Sequence, residues 1–355
     1  MASKLNWPMS PALLPTLLLL AVATLEAAAE LECPTKCGGV DILYPFGIGA
    51  GCYRSKGFEI SCVNNGTMAV LPSATHHTIP VTSLSVAPQP EAKVMMPVAY
   101  RCYNSSGDTV SFFDGHVDVN RHGVYRISDA RNMFVVLGCN TGAFTMNSDS
   151  NGTGRYDHQY YMGCFTYCTG PGSAMDGRCA SVGCCHVDIA PGLTDSLVYF
   201  EEWPHDGLEY SPCDIAFLVA NDSYHFRASD LIMDVKRTSM PVWLDWAIRD
   251  ESARSCAAAK NTTRYACVSA NSECVDTTNV PGYFCRCKEG FEGNPYKDDN
   301  DGCANIDECT QPEVYPCYGI CKDIEGSYHC KCPSGYMTTN GDPKKQPCVR
   351  KHSLP

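Results

Sequence analysis

Four oxygen-bearing side chains near the C-terminal end have the types and the spacing of a cation site. Asn305, Asp307 and Glu308 follow one another within four residues, and Asp323 lies further along the chain. Carboxylate and amide oxygens are hard ligands, and Ca²⁺ takes about 6 to 8 of them. The sequence therefore predicts that these four residues bind Ca²⁺. The alternative is an acidic stretch that is only solvated.

The motifs of common catalytic centres are missing from the sequence. It has no Gly-x-Ser-x-Gly elbow, no His-Glu-x-x-His zinc motif and no phosphate-binding loop. The acidic pair Glu201-Glu202 is adjacent in the chain, whereas the two carboxylates of a glycosidase face each other across a sugar. We therefore predict that the protein is not an enzyme.

The cysteines indicate an oxidising compartment. All 24 lie after residue 32, and an even number allows complete pairing. Cys33/Cys37 and Cys164/Cys168 have the spacing of zinc ligands, but the matching histidine spacings are missing. An exported chain keeps its cysteines as disulfides. We predict disulfides throughout rather than zinc.

The first residues have the pattern of an export signal. Lys4 precedes an apolar run from Leu13 to Ala23, and Ala27 to Ala29 form a small-residue cleavage site. We predict a signal peptide over residues 1–29 and no membrane span in the mature chain, because spanning takes about 20 apolar residues. Five Asn-x-Ser/Thr sequons predict a glycoprotein, with acceptors at Asn65, Asn104, Asn151, Asn221 and Asn261.

Short apolar runs separated by Gly, Pro, Asn and Ser predict a mostly β, disulfide-rich extracellular protein of several modules. Met133–Leu137 and Ile215–Val219 are among the predicted strands. Two stretches favour helix, Ala228–Met233 and Val242–Ala259, the second because Trp243 and Trp246 would share a helical face. Twelve cysteines precede a gap of about forty residues without cysteine, and twelve follow it. The expected units are the signal peptide (1–29), two Cys-rich segments (30–140 and 141–250), two small modules (256–303 and 305–348) and a tail (349–355).

The last twelve cysteines occur in two similar sets of six. Tyr283-Phe284-Cys285-Arg286-Cys287 in the first set corresponds to Tyr328-His329-Cys330-Lys331-Cys332 in the second. Both sets resemble EGF-like modules, and the run from Asn305 to Cys309 with Asp323 resembles the calcium-binding EGF signature. Spacing alone does not choose among the fifteen possible connectivities of six cysteines. The resemblance implies first-to-third, second-to-fourth and fifth-to-sixth pairing: Cys256-Cys274, Cys267-Cys285, Cys287-Cys303, Cys309-Cys321, Cys317-Cys330 and Cys332-Cys348.

The N-terminal half carries further family motifs. The stretch from Cys33 to Cys52, with Tyr44-Pro45-Phe46 inside it, and Phe58-Glu59-Ile60-Ser61-Cys62 look like the galacturonan-binding domain of plant wall-associated receptor kinases. Gly183-Cys184-Cys185-His186 and Cys213-Asp214-Ile215-Ala216-Phe217 match further stretches of the same ectodomain. The EGF and calcium-EGF order completes a resemblance that covers essentially the whole mature chain.

This resemblance implies non-catalytic binding of pectin, the polygalacturonate of the cell wall. The formal net charge of −12 repels a polyanion at long range, so binding needs a local basic patch or calcium bridges. Arginine suits bidentate contacts with carboxylates, and an aromatic ring can stack on a sugar face. The candidate polysaccharide-binding residues are Lys36, Tyr53, Arg54, Lys56, Arg121, Arg126 and Arg131.

The family's full-length members continue into a transmembrane helix and a cytoplasmic kinase, whereas this sequence stops at Pro355 with neither. We expect a secreted receptor-like protein of the extracellular space or cell wall, and a truncated receptor product is the alternative. The rival function is that of a decoy or co-receptor for receptor kinases or secreted peptides, bound through the Cys-rich and EGF-like modules. No nucleic-acid partner is expected.

Overall fold

The computed structural model describes residues 32–351 apart from 73–77, 118, 120–121, 147–159, 195, 251–253, 280 and 340. The predicted signal peptide, Arg121 and Asn151 therefore lie outside the described residues. So does the end of the predicted tail, from residue 352 onward. No helix among the described residues is long and apolar enough to cross a bilayer.

Short antiparallel strands are the main regular structure of the described chain, and the predicted mostly β, disulfide-rich fold is confirmed. Residues 256–303 and 305–348, the two predicted EGF-like modules, are called the first and second EGF-like module below. The described strands before them are β1 (Lys36–Cys37), β2 (Val40–Asp41), β3 (Ser61–Val63), β4 (Met68–Leu71), β5 (Ile79–Ser85), β6 (Glu91–Pro97), β7 (Ala99–Tyr103), β8 (Thr109–Phe113), β9 (Tyr125–Ile127), β10 (Asn132–Leu137), β11 (Thr141–Met146), β12 (Tyr161–Thr166), β13 (Cys184–Asp188), β14 (Val198–Phe200), β15 (Cys213–Ala220) and β16 (Ser239–Trp246).

The modules contain eight further short strands: β17 (Ser272–Asp276), β18 (Tyr283–Cys287), β19 (Phe291–Glu292), β20 (Ala304–Asn305), β21 (Ile320–Ile324), β22 (Ser327–Lys331), β23 (Tyr336–Met337) and β24 (Val349–Arg350). Among the residues that the structure describes, helix is limited to α1 (Cys256–Ala259) and to 3₁₀ turns at Lys56–Phe58, Ala228–Ile232 and Glu308–Thr310.

Three larger sheets form the N-terminal body. They have the strand orders β3-β4-β5-β6-β16-β9, β13-β10-β15-β7-β8 and β12-β11-β14. Strand β10 of the segment 30–140 pairs with β13 and β15 of the segment 141–250. Strand β16 likewise pairs with β6 and β9. The two predicted Cys-rich segments therefore share their sheets, and the expected boundary at residue 140 lies inside one body.

The predicted helix over Val242–Ala259 is wrong for most of its length. Residues up to Trp246 belong to β16, and of the described residues in this range only Cys256–Ala259 are helical. Val242, Leu244 and Trp246 are fully buried, with Trp243 on the opposite face, so the apolar period is two rather than 3.6. The two tryptophans that suggested one helical face thus lie on opposite faces of a strand. The other predicted helix, Ala228–Met233, is a 3₁₀ turn over Ala228–Ile232.

Trp246 is the centre of the aromatic core. Its ring lies 5.0 Å from that of Phe46 and 5.7 Å from that of Phe58, both edge to face. It also lies 5.8 Å from the ring of Tyr296, which belongs to the first EGF-like module. Such aromatic pairs add about 0.5–1.5 kcal/mol each beyond the burial of their area. The first module therefore shares the core of the N-terminal body.

Polar contacts fix the same junction between the first module and the body. Asn279 of the first module is 3 % exposed. Its side-chain nitrogen donates to the Ile127 carbonyl at 3.1 Å and to Asp245 Oδ2 at 2.9 Å. Its side-chain oxygen accepts from the Gly192 amide at 2.9 Å. Tyr283 forms a backbone bridge with Ile248. These contacts orient the module on the sheet formed by β9 and β16.

All cysteines are paired. The first module has Cys256-Cys274, Cys267-Cys285 and Cys287-Cys303, and the second has Cys309-Cys321, Cys317-Cys330 and Cys332-Cys348. The N-terminal body has Cys33-Cys52, Cys37-Cys62, Cys102-Cys213, Cys139-Cys168, Cys164-Cys185 and Cys179-Cys184. No cysteine remains to bind zinc.

Candidate functional site

Two cations and a tryptophan meet on the outer face of the six-stranded sheet. The register of β6 and β16 places Lys93 directly across from Trp243. Lys93 Nζ lies 5.1 Å from the Trp243 ring centroid, and Arg131 Cζ lies 3.7 Å from it. Both distances are within the range of a cation–π contact. We call Lys93, Arg131 and Trp243 the Trp243 cluster.

Asn132 holds Arg131 next to this tryptophan. Its side chain, 1 % exposed, donates to the Trp243 carbonyl at 2.8 Å and accepts from the Trp243 amide at 2.8 Å. It also donates to the Ser128 carbonyl at 2.7 Å, which closes the turn before β10. The position of Arg131 over the ring is therefore set by a buried amide.

Acidic side chains border the Trp243 cluster. Arg131 forms an ion pair with Glu91. The pKa of the exposed Asp222 carboxyl is lowered by a hydrogen bond from Ser223 and, to a smaller extent, by the nearby charges of Lys93 and Arg131. The Arg131 and Glu91 side chains are 38 % and 20 % exposed, so water reaches and weakens their pair, and an incoming carboxylate can compete with Glu91 or Asp222. The cluster can thus bind an anion, with an aromatic ring beside it.

Lys36, Tyr53 and Lys56 remain available at the surface. Lys56 Nζ lies 5.8 Å from the Tyr53 ring centroid and 2.5 Å from Glu59 Oε2. The hydrogen bond to Glu59 raises the pKa of Lys56. Lys36 Nζ lies 3.1 Å from Asp41 Oδ1. These cations are exposed, but each already has a carboxylate partner.

Two predicted sugar-binding arginines are structural instead. The Arg54 side chain is 15 % exposed, forms an ion pair with Asp250 at 3.3 Å and donates to the Arg264 carbonyl. Arg126 is 3 % exposed and donates to the Tyr125 carbonyl at 2.8 Å. The first module docks beside Arg54 through the Arg264 carbonyl, whereas Arg126 lies on the buried strand β9. Sequence spacing could reveal neither arrangement. Neither is available to a polysaccharide.

The sequence analysis missed a buried polar cluster around Asp214, which is fully buried. Asp214 Oδ1 accepts from Thr141 at 2.6 Å and lies 2.8 Å from His205 Nε2, while Oδ2 accepts from Tyr103 at 2.6 Å. His205 Nδ1 lies 2.7 Å from the Trp203 carbonyl. Both ring nitrogens face acceptors, a geometry that favours the doubly protonated imidazolium. Burial opposes this charge, but the Asp214 hydrogen bond and charge outweigh it and raise the pKa of His205.

The predicted calcium ligands border the junction between the two modules. Asn305 Nδ2 lies 3.3 and 3.1 Å from the two oxygens of Asp323, and 3.0 Å from the Ile306 carbonyl. Several acceptor oxygens thus converge on one positively polarised group, where a cation would be favoured. Asp307 Oδ1 accepts from the Cys309 amide at 3.1 Å and so caps the turn Glu308–Thr310.

Glu308 is an informative member of this set. It is 3 % exposed, and its Oε2 has no hydrogen-bond partner among the described residues. A buried carboxylate without a partner is costly, and a bound cation would neutralise its charge. No three His, Cys, Asp or Glu side chains in the described part of the chain gather as a metal site. Carbonyl and amide oxygens would therefore have to complete the coordination, and the donor set fits Ca²⁺.

The four described sequon asparagines all have exposed side chains, at Asn65, Asn104, Asn221 and Asn261. Asn104 Oδ1 accepts from the amides of Ser106 and Asp108 within its own turn. Glycan attachment at these positions stays a prediction.

Comparison with known proteins identifies related sequences. Residues 33–94 match the family described as "Wall-associated receptor kinase galacturonan-binding". Wall-associated receptor kinase 2 of Arabidopsis thaliana is 32 % identical over 313 residues, which are 86 % of this chain and 39 % of that protein. Wall-associated receptor kinase 4 of the same plant is 32 % identical over 87 % of this chain and 40 % of its own length. The chain thus spans about 40 % of the length of these relatives.

Proposed function

The chain is a relative of the wall-associated receptor kinases that carries their galacturonan-binding domain, and we propose from this that it binds galacturonan as a secreted, non-catalytic protein of the cell wall. The match of residues 33–94 to that domain carries the proposal. The kinase activity in the names of the relatives is a property of those proteins. The many disulfides and the ectodomain relatives support an extracellular location.

The Trp243 cluster is the surface that best suits a uronate chain. Lys93 lies inside the matched domain, and β16 and the turn before β10 add Trp243 and Arg131. The two cations can pair with successive carboxylates while the indole provides an apolar surface for a sugar ring. Because the net charge is −12, attraction is local to the cluster, and added salt weakens it.

Neutralising the cluster tests the proposal. We expect the double variant Lys93→Gln/Arg131→Gln to bind oligogalacturonides about tenfold more weakly, since losing two exposed charge-assisted contacts removes about 1.4 kcal/mol or more. Calorimetric titration measures the change. The control, Lys236→Gln/Arg237→Gln, removes the same charge at an exposed turn where Arg237 pairs with Asp234. Equal loss in both variants, or no loss in either, would contradict the assignment of the site.

A protein partner is the competing function. A decoy or co-receptor would bind a receptor or peptide equally well after pectin digestion, and its affinity would not depend on uronate chain length. Two results together would favour this alternative. The unaltered protein would not bind oligogalacturonides, and Lys93→Gln/Arg131→Gln would still bind the protein partner.

We also propose that the second EGF-like module binds Ca²⁺ through Asn305, Glu308, Asp323 and the Ile306 carbonyl, with Asp307 capping the turn. Bound Ca²⁺ would supply positive charge that neutralises the buried Glu308 and ties β20 to β21. The Ile306 amide already donates to the Gly290 carbonyl of the first module at 2.9 Å. Calcium would therefore stiffen the connection between the two modules.

Removing the buried carboxylate tests this cation site. We expect Ca²⁺ at about ten times its dissociation constant to stabilise the unaltered protein by about 1.4 kcal/mol, and Glu308→Gln to lose most of that gain. Denaturant unfolding with Ca²⁺ or with chelator measures the difference. Glu313→Gln, an exposed position in the same module, should respond to Ca²⁺ as the unaltered protein does. A full calcium response in Glu308→Gln would rule Glu308 out as a ligand.

A further inference from the structure

The outer face of the three-stranded sheet is lined with aromatic rings. Strand register puts Phe144 and Tyr199 on one face with Tyr161 and Phe165. The opposite face contains buried residues such as Ala143 and is packed against the core. Tyr161 is 60 % exposed, Phe165 is 61 % exposed and Tyr199 is 38 % exposed. A cluster of exposed aromatic rings on a soluble protein marks a binding surface.

These rings border an open groove of about 320 Å³. Phe165 and Trp203 meet edge to face at 6.1 Å, and Phe144 meets Tyr161 edge to face at 5.6 Å. Gly163 lies between Tyr161 and Phe165 on β12 and has no side chain on the outer face. The Cα atoms of Tyr161 and Phe165 are about 13 Å apart along the strand, from a rise of about 3.3 Å per residue. The groove is thus longer than one sugar ring and suits a chain.

The charges beside the groove indicate which kind of polysaccharide chain it can bind. The strands β11, β12 and β14 and the segment 201–206 contain no lysine or arginine, whereas Glu201 and Glu202 are exposed beside the groove. Carboxylates accept hydrogen bonds from hydroxyl groups and repel other carboxylates. Aromatic rings pack against the C–H faces of sugars. The groove therefore favours an uncharged glycan and disfavours a polyuronate.

We propose that this groove is a second polysaccharide site, one that binds a neutral hexose chain. Tyr161, Phe165 and Trp203 provide the rings, and Glu201 accepts hydrogen bonds from sugar hydroxyls. Gly142 lets Glu201 and Trp203 pack close to the sheet. A Cβ atom at this position would lie 3.0 Å from Glu201 Cγ and 3.4 Å from Trp203 Cη2. The site is independent of the Trp243 cluster in its residues and in its charge, so the protein could join two kinds of wall polysaccharide.

Titration of the whole oxidised protein with cellohexaose, followed by tryptophan fluorescence and calorimetry, tests the site. We expect saturable binding that the double variant Tyr161→Ala/Phe165→Ala weakens at least about tenfold. Both side chains are more than half exposed, so the variant should fold. Tyr318→Ala, exposed to 53 % in the second module, is the matched control and should bind as the unaltered protein does.

Two results would overturn the proposal. One is the absence of saturable cellohexaose binding. The other is concentration-dependent self-association in sedimentation that Tyr161→Ala/Phe165→Ala abolishes, because the groove would then be an interface between copies of this chain. Oligogalacturonide binding should be unchanged in Tyr161→Ala/Phe165→Ala, so failure of this site and failure of the Trp243 cluster are distinguishable.

Discussion

Replacing Asp214 with alanine is expected to lower the free energy of unfolding by about 3–5 kcal/mol, the usual cost of removing one partner from a buried ion pair. The His205 and Asp214 side chains are each 1 % exposed. The variant removes the counter-ion of His205, so the buried ring loses its proton, and it leaves Tyr103 and Thr141 without their acceptor. Denaturant unfolding of the oxidised protein measures the change.

The same pair makes stability depend on pH. The folded-state pKa of His205 is above its ordinary value, so its contribution is complete below about pH 6.5, the unfolded value. The contribution is lost as the pH rises through the folded pKa. We expect the unaltered protein to lose stability over this window, and Asp214→Ala to lose much less, because its His205 is no longer held protonated.

Asp234→Ala is the control for the Asp214 prediction. Asp234 pairs with Arg237 at 3.7 Å, with both side chains largely exposed, and such pairs contribute at most about 1 kcal/mol. A loss of 1 kcal/mol or less in Asp214→Ala would show that the buried cluster does not hold this part of the body together.

The second large effect is expected at the junction between the body and the first EGF-like module. Asn279→Ala removes three buried hydrogen bonds and leaves the Ile127 carbonyl and the Gly192 amide without their partner. Each unsatisfied buried group costs about 1–3 kcal/mol. A neighbouring cavity of about 200 Å³ can admit water and reduce this cost. We expect a loss of about 3 kcal/mol, measured by denaturant unfolding.

Burial raises the pKa of Asp245, and the hydrogen bond from Asn279 works against that rise. Asn279→Ala removes this hydrogen bond and should therefore raise the pKa of Asp245 further. Asn300→Ala, an exposed position in the same module, should change the stability little. Proteolysis gives a second readout, since loosening of the junction exposes residues 247–250, which follow β16. Equal stability of Asn279→Ala and Asn300→Ala would contradict the rigid attachment of the module.

The sequence was sufficient where a short apolar run determines one local structure. Met133–Leu137 and Ile215–Val219 were predicted as strands, and they are the centres of β10 and β15. It was insufficient at Val242–Ala259. Trp243 and Trp246 would share one face of a helix, and nothing in the sequence shows that the segment is a strand in which they lie on opposite faces. The outward position of Trp243, and with it the Trp243 cluster, followed only from the strand register.

Whether a candidate residue is available to a ligand depends on contacts between distant parts of the chain, and the spacing of residues in the sequence does not show these contacts. Arg54 and Arg126 looked available as isolated cations, but the first module covers Arg54 and Arg126 lies on the buried strand β9. Asp214 carried a usable signal, because an acid inside the wholly buried strand Cys213–Ala220 requires a partner. His205, nine residues earlier, could not be identified as that partner from sequence. The N-terminal disulfides likewise required the fold.

The most direct test of galacturonan binding is a calorimetric titration of the oxidised protein with oligogalacturonides of increasing length, beside fully methyl-esterified chains of the same length. The esterified chains keep the sugar backbone and lack the carboxylates. We expect saturable binding that strengthens with length, weakens with added salt and is much weaker for the esterified chains. Absence of saturable binding at every length, or equal binding of the two sets, would contradict a uronate-binding function.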